Sequence, residues 1–193
     1  TISVISNSFL NIFVTHKSLS DCGEAKQGLA TGNNDRFLRN WHEVSTKKIG
    51  LCFNSAIETI TSKLKWFPYN KGGSRRKWYG NQELLVNWEK NGFEIKHFVD
   101  VNGKLRSRPQ NTNYYFKPSI SWGLISGPFF RYFPPGFIYD IQGMSYFANN
   151  DNELESILAW LNSKVFRNLG KSVNPREQYQ AGDLLKLPIT KEM

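Results

Sequence analysis

Asn152-Glu153-Leu154-Glu155-Ser156-Ile157-Leu158-Ala159-Trp160-Leu161-Asn162-Ser163-Lys164-Val165-Phe166-Arg167-Asn168-Leu169-Gly170 is the stretch that separates this chain from an all-β protein. Leu154, Ile157, Leu158, Leu161, Val165 and Leu169 fall on one side at helical spacing; Asn162, Lys164, Arg167 and Asn168 fall opposite. Asn152 with Glu155 three residues on has the form of a capping box, and Gly170 suits a helix end. The spacing predicts one amphipathic helix over 154–169, with its apolar stripe used for packing. The preceding text reads mostly as strands and turns. The expected class is α+β, a β-rich body with a late amphipathic helix packed against it.

Working back from that helix, Phe129-Phe130-Arg131-Tyr132-Phe133 and Phe137-Ile138-Tyr139-Asp140-Ile141 read as aromatic strands joined by a tight Pro134-Pro135-Gly136 turn. Tyr114-Tyr115-Phe116 and Ile120-Ser121-Trp122 continue the β-like pattern. Leu84, Val86 and Trp88 alternate as a strand, and Phe93, Ile95, His97 and Val99 alternate after Asn91-Gly92, which predicts a β-hairpin. Asn102-Gly103 marks another turn. Ile57, Ile60 and Leu64 fit a short helix over 54–65, Arg36 to Trp41 is a short amphipathic segment, and 28–35 is a loop of turn formers. Residues 1–19 read as one or two strands or a short helix. The chain opens on Thr1 rather than Met, which suggests a piece of something larger.

The 193 residues suffice for one domain with a buried core. Lys plus Arg outnumber Asp plus Glu by 25 to 16, a formal charge of +9, and aromatics make up 15%. A basic, aromatic-rich domain suits a nucleic-acid partner. Cys22 and Cys52 make neither a zinc cluster nor a disulfide framework, which points to reduced thiols and a cytoplasmic protein. His16, His42 and His97 lack metal-ligand spacing. Ile2 to Val14 is too short and too interrupted to span a bilayer, so no membrane partner is expected.

The charge concentrates in two places. Trp66-Phe67-Pro68-Tyr69-Asn70-Lys71-Gly72-Gly73-Ser74-Arg75-Arg76-Lys77-Trp78-Tyr79-Gly80 sets Lys71, Arg75, Arg76 and Lys77 among five aromatics. Cations attract phosphate, and flat rings either stack on bases or anchor a loop. Paired duplex bases leave few faces free for stacking. Trp66, Phe67, Trp78 and Tyr79 are therefore read as anchors, and Lys71 to Lys77 as a cationic tip. Lys104, Arg106 and Arg108 form the second group. On an extended segment their alternation puts them on one side, whether as a DNA-facing row or as a solvated, charged edge strand. These seven cations are the candidate nucleic-acid contacts, and Arg75 and Arg76 are the candidates for bidentate guanine readout should the partner be duplex DNA.

Catalytic signatures are missing. The chain has no Gly-x-Gly-x-x-Gly after a strand, no Gly-x-Ser-x-Gly and no His-Glu-x-x-His. The Asn/Asp-Pro-Pro-aromatic pattern that holds an extruded base is not met either. Phe133-Pro134-Pro135-Gly136 lacks the acceptor and the ring, and Asn174-Pro175-Arg176-Glu177 lacks the second proline and the ring. No catalytic residue, cofactor-binding residue or metal ligand is expected here.

Several runs resemble, in order, the C-terminal part of the PglX-type adenine-specific DNA methyltransferases of bacterial phage-exclusion (BREX) systems. They are Gln27-Gly28-Leu29-Ala30-Thr31-Gly32-Asn33-Asn34-Asp35-Arg36-Phe37, then Lys65 to Gly73 with Arg76 to Asn81, Gly103 to Asn111, Leu161 to Val165, and Gly182 to Ile189. The resemblance implies a TaqI-like target recognition domain over 25–193, with 1–24 as a less clearly matched lead-in. It implies double-stranded DNA as partner. The S-adenosylmethionine-dependent catalytic domain would lie elsewhere in the parent protein, and other defence-system subunits are further candidate partners. The alternative is a protein-interaction module whose basic surface meets an acidic partner.

Overall fold

The computed structural model describes residues 7–124 and 127–189. Residues 1–6, part of the lead-in read as strand or helix, lie outside that range. From Asn7 the chain is helical: α1 (Asn7–Thr15) and α2 (Leu19–Cys22) lead into β1 (Gly23–Lys26), then α3 (Asn34–Phe37), β2 (Leu38–Asn40) and α4 (Glu58–Thr61). The central part holds β3 (Trp66–Asn70), β4 (Leu84–Asn87), α5 (Glu89–Lys96), β5 (Ser119–Ser121), β6 (Arg131–Phe133), β7 (Ile138–Tyr139) and β8 (Ser145–Ala148). The end is helical: α6 (Leu154–Leu161), α7 (Lys164–Val173) and α8 (Ala181–Leu185). The class is α+β, with the late helical region expected from the sequence.

The strands form two four-stranded sheets. One runs β1-β8-β5-β6, antiparallel throughout; the other runs β2-β4-β3-β7, with β7 parallel to β3. Each sheet has its own core. Ile120, Trp122, Phe130 and Tyr146 pack with Leu154, Ile157, Leu161, Phe166, Leu169 and Leu184 of the terminal helices. Phe67, Tyr69, Val86 and Trp88 pack with Ile95, Tyr115 and Phe116. Tyr146 and Phe147 are neighbours on β8 but belong to different cores, because successive side chains on a strand leave opposite faces. Pro68 lies inside β3, where a missing N–H would break a ladder. β7 pairs only with Tyr69 and Asn70, so the proline falls just short of that ladder.

Tyr114-Tyr115-Phe116 is not a strand, since Thr112–Tyr114 form a 3-10 turn and Phe116 takes φ +71°; the structure corrects four further local expectations. First, Phe93 to Val99 is not a strand of a hairpin. Lys90, Asn91 and Gly92 all take positive φ, turning the chain sharply after β4 into a helical turn. Of the alternating residues only Ile95 is buried. A smaller hairpin does form farther on, where Val99 pairs with Leu105 across the Asn102-Gly103 turn. Second, the helix over 54–65 shrinks to α4. Ile57 and Ile60 are 75% and 51% exposed, so the matching stripe faces outward, and Lys63 at φ +55° ends the segment.

Third, Pro134-Pro135-Gly136 does turn the chain but makes no hairpin. It hands the chain from β6 in one sheet to β7 in the other. Fourth, the late helix is broken at Asn162-Ser163. The Asn162 carboxamide is buried and pairs with the Phe130 backbone, donating to its carbonyl (2.9 Å) and accepting from its N–H (3.3 Å). Ser163 then caps a new helix by accepting from Phe166 N (3.1 Å). The break shifts the phase: Phe166 and Leu169 are buried while Val165 is 52% exposed. Asn150, not Asn152, supplies the capping oxygen before α6 (3.1 Å to Asn152 N). Gly170 sits inside α7, where a Cβ would meet the Tyr179 hydroxyl, and does not end the helix.

Candidate nucleic-acid interface

The cationic tip leaves β3 through a buried polar junction. Asn70 donates to Ser121 Oγ (2.6 Å) on the other sheet and accepts from Gly72 N (3.0 Å), so one side chain fixes both the sheet contact and the first bend of the loop. Beside it the buried Tyr69 hydroxyl donates to Asp140 Oδ2 (2.6 Å) and lies 3.0 Å from the Leu29 carbonyl. Burial, reinforced by the Asp140 charge, pushes that hydroxyl well above its ordinary pKa, so it stays a donor. Asp140 Oδ1 accepts from Gln142 N (2.7 Å), and Lys71 Nζ stands 4.0 Å from Oδ2. Three loops (28–34, 71–74 and 140–142) are thus tied to one carboxylate–phenol pair.

Gly72 and Gly73, at φ +84° and +100°, make a bend that Cβ-bearing residues rarely adopt. Asn81 clamps it from across the loop, donating to the Gly72 and Ser74 carbonyls (3.1 and 2.8 Å) and accepting from Ser74 Oγ (3.1 Å). Arg75 and Arg76 project from this frame and are exposed. The Arg75 guanidinium lies 5.8 Å from the Phe129 ring. Arg131 is buried beneath the loop and donates from Nη1 to the Arg76 carbonyl (3.3 Å). Desolvation pulls its pKa down to about 10 against the opposing pull of Glu83. Lys77 turns back and donates to the Asn162 carbonyl at the end of α6 (3.0 Å), which occupies one of its three donors.

Of the four supposed anchors, Trp66 and Phe67 are buried. Trp78 and Tyr79 are not: they are 53% and 63% exposed. The anchoring of that side of the loop is done by backbone, through Trp78 N to Phe130 O (2.9 Å) and Tyr132 N to Trp78 O (2.8 Å).

Lys104, Arg106 and Arg108 are all exposed, but they do not form one side of a two-faced strand, since Leu105 between them is exposed as well and only Ser107 is buried. Asp100 Oδ1 holds the turn by accepting from Asn102 N and Lys104 N (both 2.9 Å). The Arg106 guanidinium lies 5.4 Å from the Phe98 ring. Arg108 exchanges both backbone hydrogen bonds with Ala30 (2.8 and 3.0 Å).

That last pairing joins the two cationic groups. A Cβ on Gly32 would stand 2.6 Å from the Arg106 carbonyl. Ala30 to Asn34, with Lys71, Asp140 and Gln142, line a cleft of about 270 Å³. On its far side Lys71, Gly72, Ser74, Arg76, Asn81, Glu83 and Gln142 line a second cleft of about 370 Å³. Lys71 and Gln142 belong to both. The turn-forming loop at 28–34 therefore does more than connect: it spans from Arg106 and Arg108 to Lys71. Among the described residues Arg75, Arg76, Lys77, Lys104, Arg106 and Arg108 form no ion pair, whereas Arg36 is bound to Glu94 and Arg167 to Glu177. Sequence patterning does not point to Gln142, Asn34 or the Asn81 clamp, because isolated amides in turn-forming text carry no local signal of such a role.

Among the described residues no three His, Cys, Asp or Glu side chains are placed to hold a metal ion, and no helix is long and apolar enough to cross a membrane.

Fold and site together define an α+β domain that presents a basic loop face on a hydrogen-bonded frame. No family model matches the chain. It is 40% identical over 171 residues to the adenine-specific methyltransferase PglX of Lacticaseibacillus casei (strain Zhang), covering 87% of this chain and 14% of that protein. It is 35% identical over 189 residues to the adenine-specific methyltransferase BrxX of Escherichia coli O9:H4 (strain HS), covering 95% of this chain and 14% of that protein. The chain thus matches a PglX-type region along nearly its whole length and spans 14% of these relatives.

Proposed function

We propose that this chain is the DNA-binding target recognition domain of a larger adenine-specific, S-adenosylmethionine-dependent DNA methyltransferase of a bacterial phage-defence system. It docks the duplex and reads base edges for a catalytic domain that lies outside these residues. The observation that supports the reading is that loop 28–34, paired to Arg108 through Ala30, lines one cleft with Lys71, so two cationic segments separate in sequence flank the same loop. Relatives named as adenine-specific methyltransferases supply the chemistry of the parent protein. Most of the seven cations contact phosphates, because half or more of protein–DNA hydrogen bonds go to the backbone. Arg75 and Arg76 remain the candidates for guanine.

Salt titration of duplex binding tests this. A domain engaging six to ten phosphates loses about 10³–10⁵ in affinity between roughly 50 and 200 mM salt. The Arg75→Ala/Arg76→Ala double variant weakens binding while its thermal unfolding matches the parent. Absence of duplex binding at low salt refutes the reading and leaves the basic face to an acidic protein partner.

A further inference from the structure

Trp78 and Tyr79 are the largest side chains on the basic face that neither core claims. Trp66 and Trp88, close by in sequence, are buried, so the chain had room for indoles inside. Trp78 instead sits at φ +72°, a conformation in which a bulky residue is a clear outlier. Such strain persists only where the surroundings over-determine it. Here they do: the N–H and carbonyl of Trp78 are both bonded to the β6 region, through Phe130 and Tyr132. Buried Arg131 braces the Arg76 carbonyl just ahead of it. The result is a braced backbone at Trp78 that leaves two aromatic side chains more than half exposed on the loop that also carries Arg75 and Arg76.

We infer that Trp78 and Tyr79 form a stacking platform for the face of a nucleobase at a point where the duplex is locally unstacked. The inference rests on the DNA-binding reading. A flat indole offers sequence-tolerant stacking to any exposed base face, and a rigid mount reduces the entropy lost on binding. The neighbouring guanidiniums would hold the flanking phosphates, which brings the rings against the helix stack. A protein partner is the less favoured occupant, because the same short loop carries Arg75, Arg76 and Lys77 and no carboxylate.

The test uses this chain and two duplexes of equal length and charge. One is fully paired; the other carries a central mismatched 2-aminopurine. Anisotropy gives affinity, and 2-aminopurine quenching reports stacking. The parent chain binds the mismatched duplex more tightly and quenches the probe. Trp78→Gly keeps the turn, since glycine takes φ +72° freely, and its thermal unfolding is measured beside the parent's. It loses about 5- to 150-fold on the mismatched duplex and the quenching with it, while affinity for the paired duplex barely changes. Trp78→Phe, which keeps a ring, retains most of the preference even if Trp78→Gly proves unstable. Equal binding of both duplexes by the parent, an undiminished preference without the indole, or the same loss on both duplexes overturns the inference while leaving DNA binding intact. No binding to either duplex at low salt removes both readings together.

Discussion

Removing one oxygen from Tyr69 probes the frame of the whole face. Tyr69→Phe keeps the ring, which is fully buried in the second core, so packing volume is unchanged. What disappears is the hydroxyl, with its 2.6 Å donation to Asp140 Oδ2 and its 3.0 Å contact with the Leu29 carbonyl. Asp140 is itself buried, and after the change Oδ2 retains only Lys71 Nζ at 4.0 Å, too long for a hydrogen bond. Leaving a buried charged acceptor short of a donor costs about 2 kcal/mol, and the partial compensation by Lys71 argues against more. For a chain of this size that corresponds to a fall in Tm of roughly 4–8 °C. Differential scanning calorimetry of parent and variant measures it. A Tm within about 1 °C of the parent would show that the phenol–carboxylate bond does not hold loops 28–34, 71–74 and 140–142 together. The site as described would then lose its frame.

The same geometry sets other outcomes. Asp140→Asn removes a negative charge 4.0 Å from Lys71, worth about 1 kcal/mol in a water-like dielectric. If Lys71 meets a phosphate, duplex affinity at low salt should rise about fivefold. Gly143→Ala sets a Cβ 2.6 Å from Gly72 N and 2.7 Å from the Asn70 carbonyl, both backbone. A lowered Tm and weakened duplex binding are expected together, and an unchanged Tm would contradict the tight junction. Asn162→Ala strips both bonds to the Phe130 backbone in a buried site; urea unfolding should show a loss of about 1–3 kcal/mol. Glu177 is held below its ordinary pKa, first by the hydrogen bond from Arg167, against desolvation, with the Arg167 and Lys171 charges adding less. A depressed folded pKa contributes stability above the unfolded value of about 4.3 and loses it as pH falls through the folded value. Arg167 is largely exposed, so solvent screening keeps the effect small. Glu177→Gln should unfold slightly earlier than the parent at neutral pH, and the difference should shrink as pH falls below about 4.3.

How much of this was legible in the sequence depended on how local the cause was. The strand at 84–87 and the Asn91-Gly92 and Asn102-Gly103 turns come from alternation and turn chemistry, and they are present. The helical ending was legible for the same reason, since Leu154, Ile157, Leu158 and Leu161 do face a core. The Asn162 break was not, because its cause is a backbone pair at Phe130, 32 residues away. The outward stripe of Ile57 and Ile60 shows the converse: periodicity marks a face without saying which way it points.

For the candidate site, the sequence by itself determined the inventory: seven cations in two groups, two glycines to bend the first loop, and a general charge excess that favours a polyanion. Those are properties of residue type and spacing. Tertiary structure alone decided that Ala30 pairs with Arg108 and so brings the groups together, and that Arg36 and Arg167 are spent on carboxylates. It also decided that Trp66 is buried while Trp78, twelve residues on, stands in solvent. Both are indoles in basic surroundings. Only the first lies on a strand between two others; the second is held by its backbone alone, which leaves its ring free. Side-chain chemistry travels with the sequence, whereas burial depends on which distant strand arrives alongside.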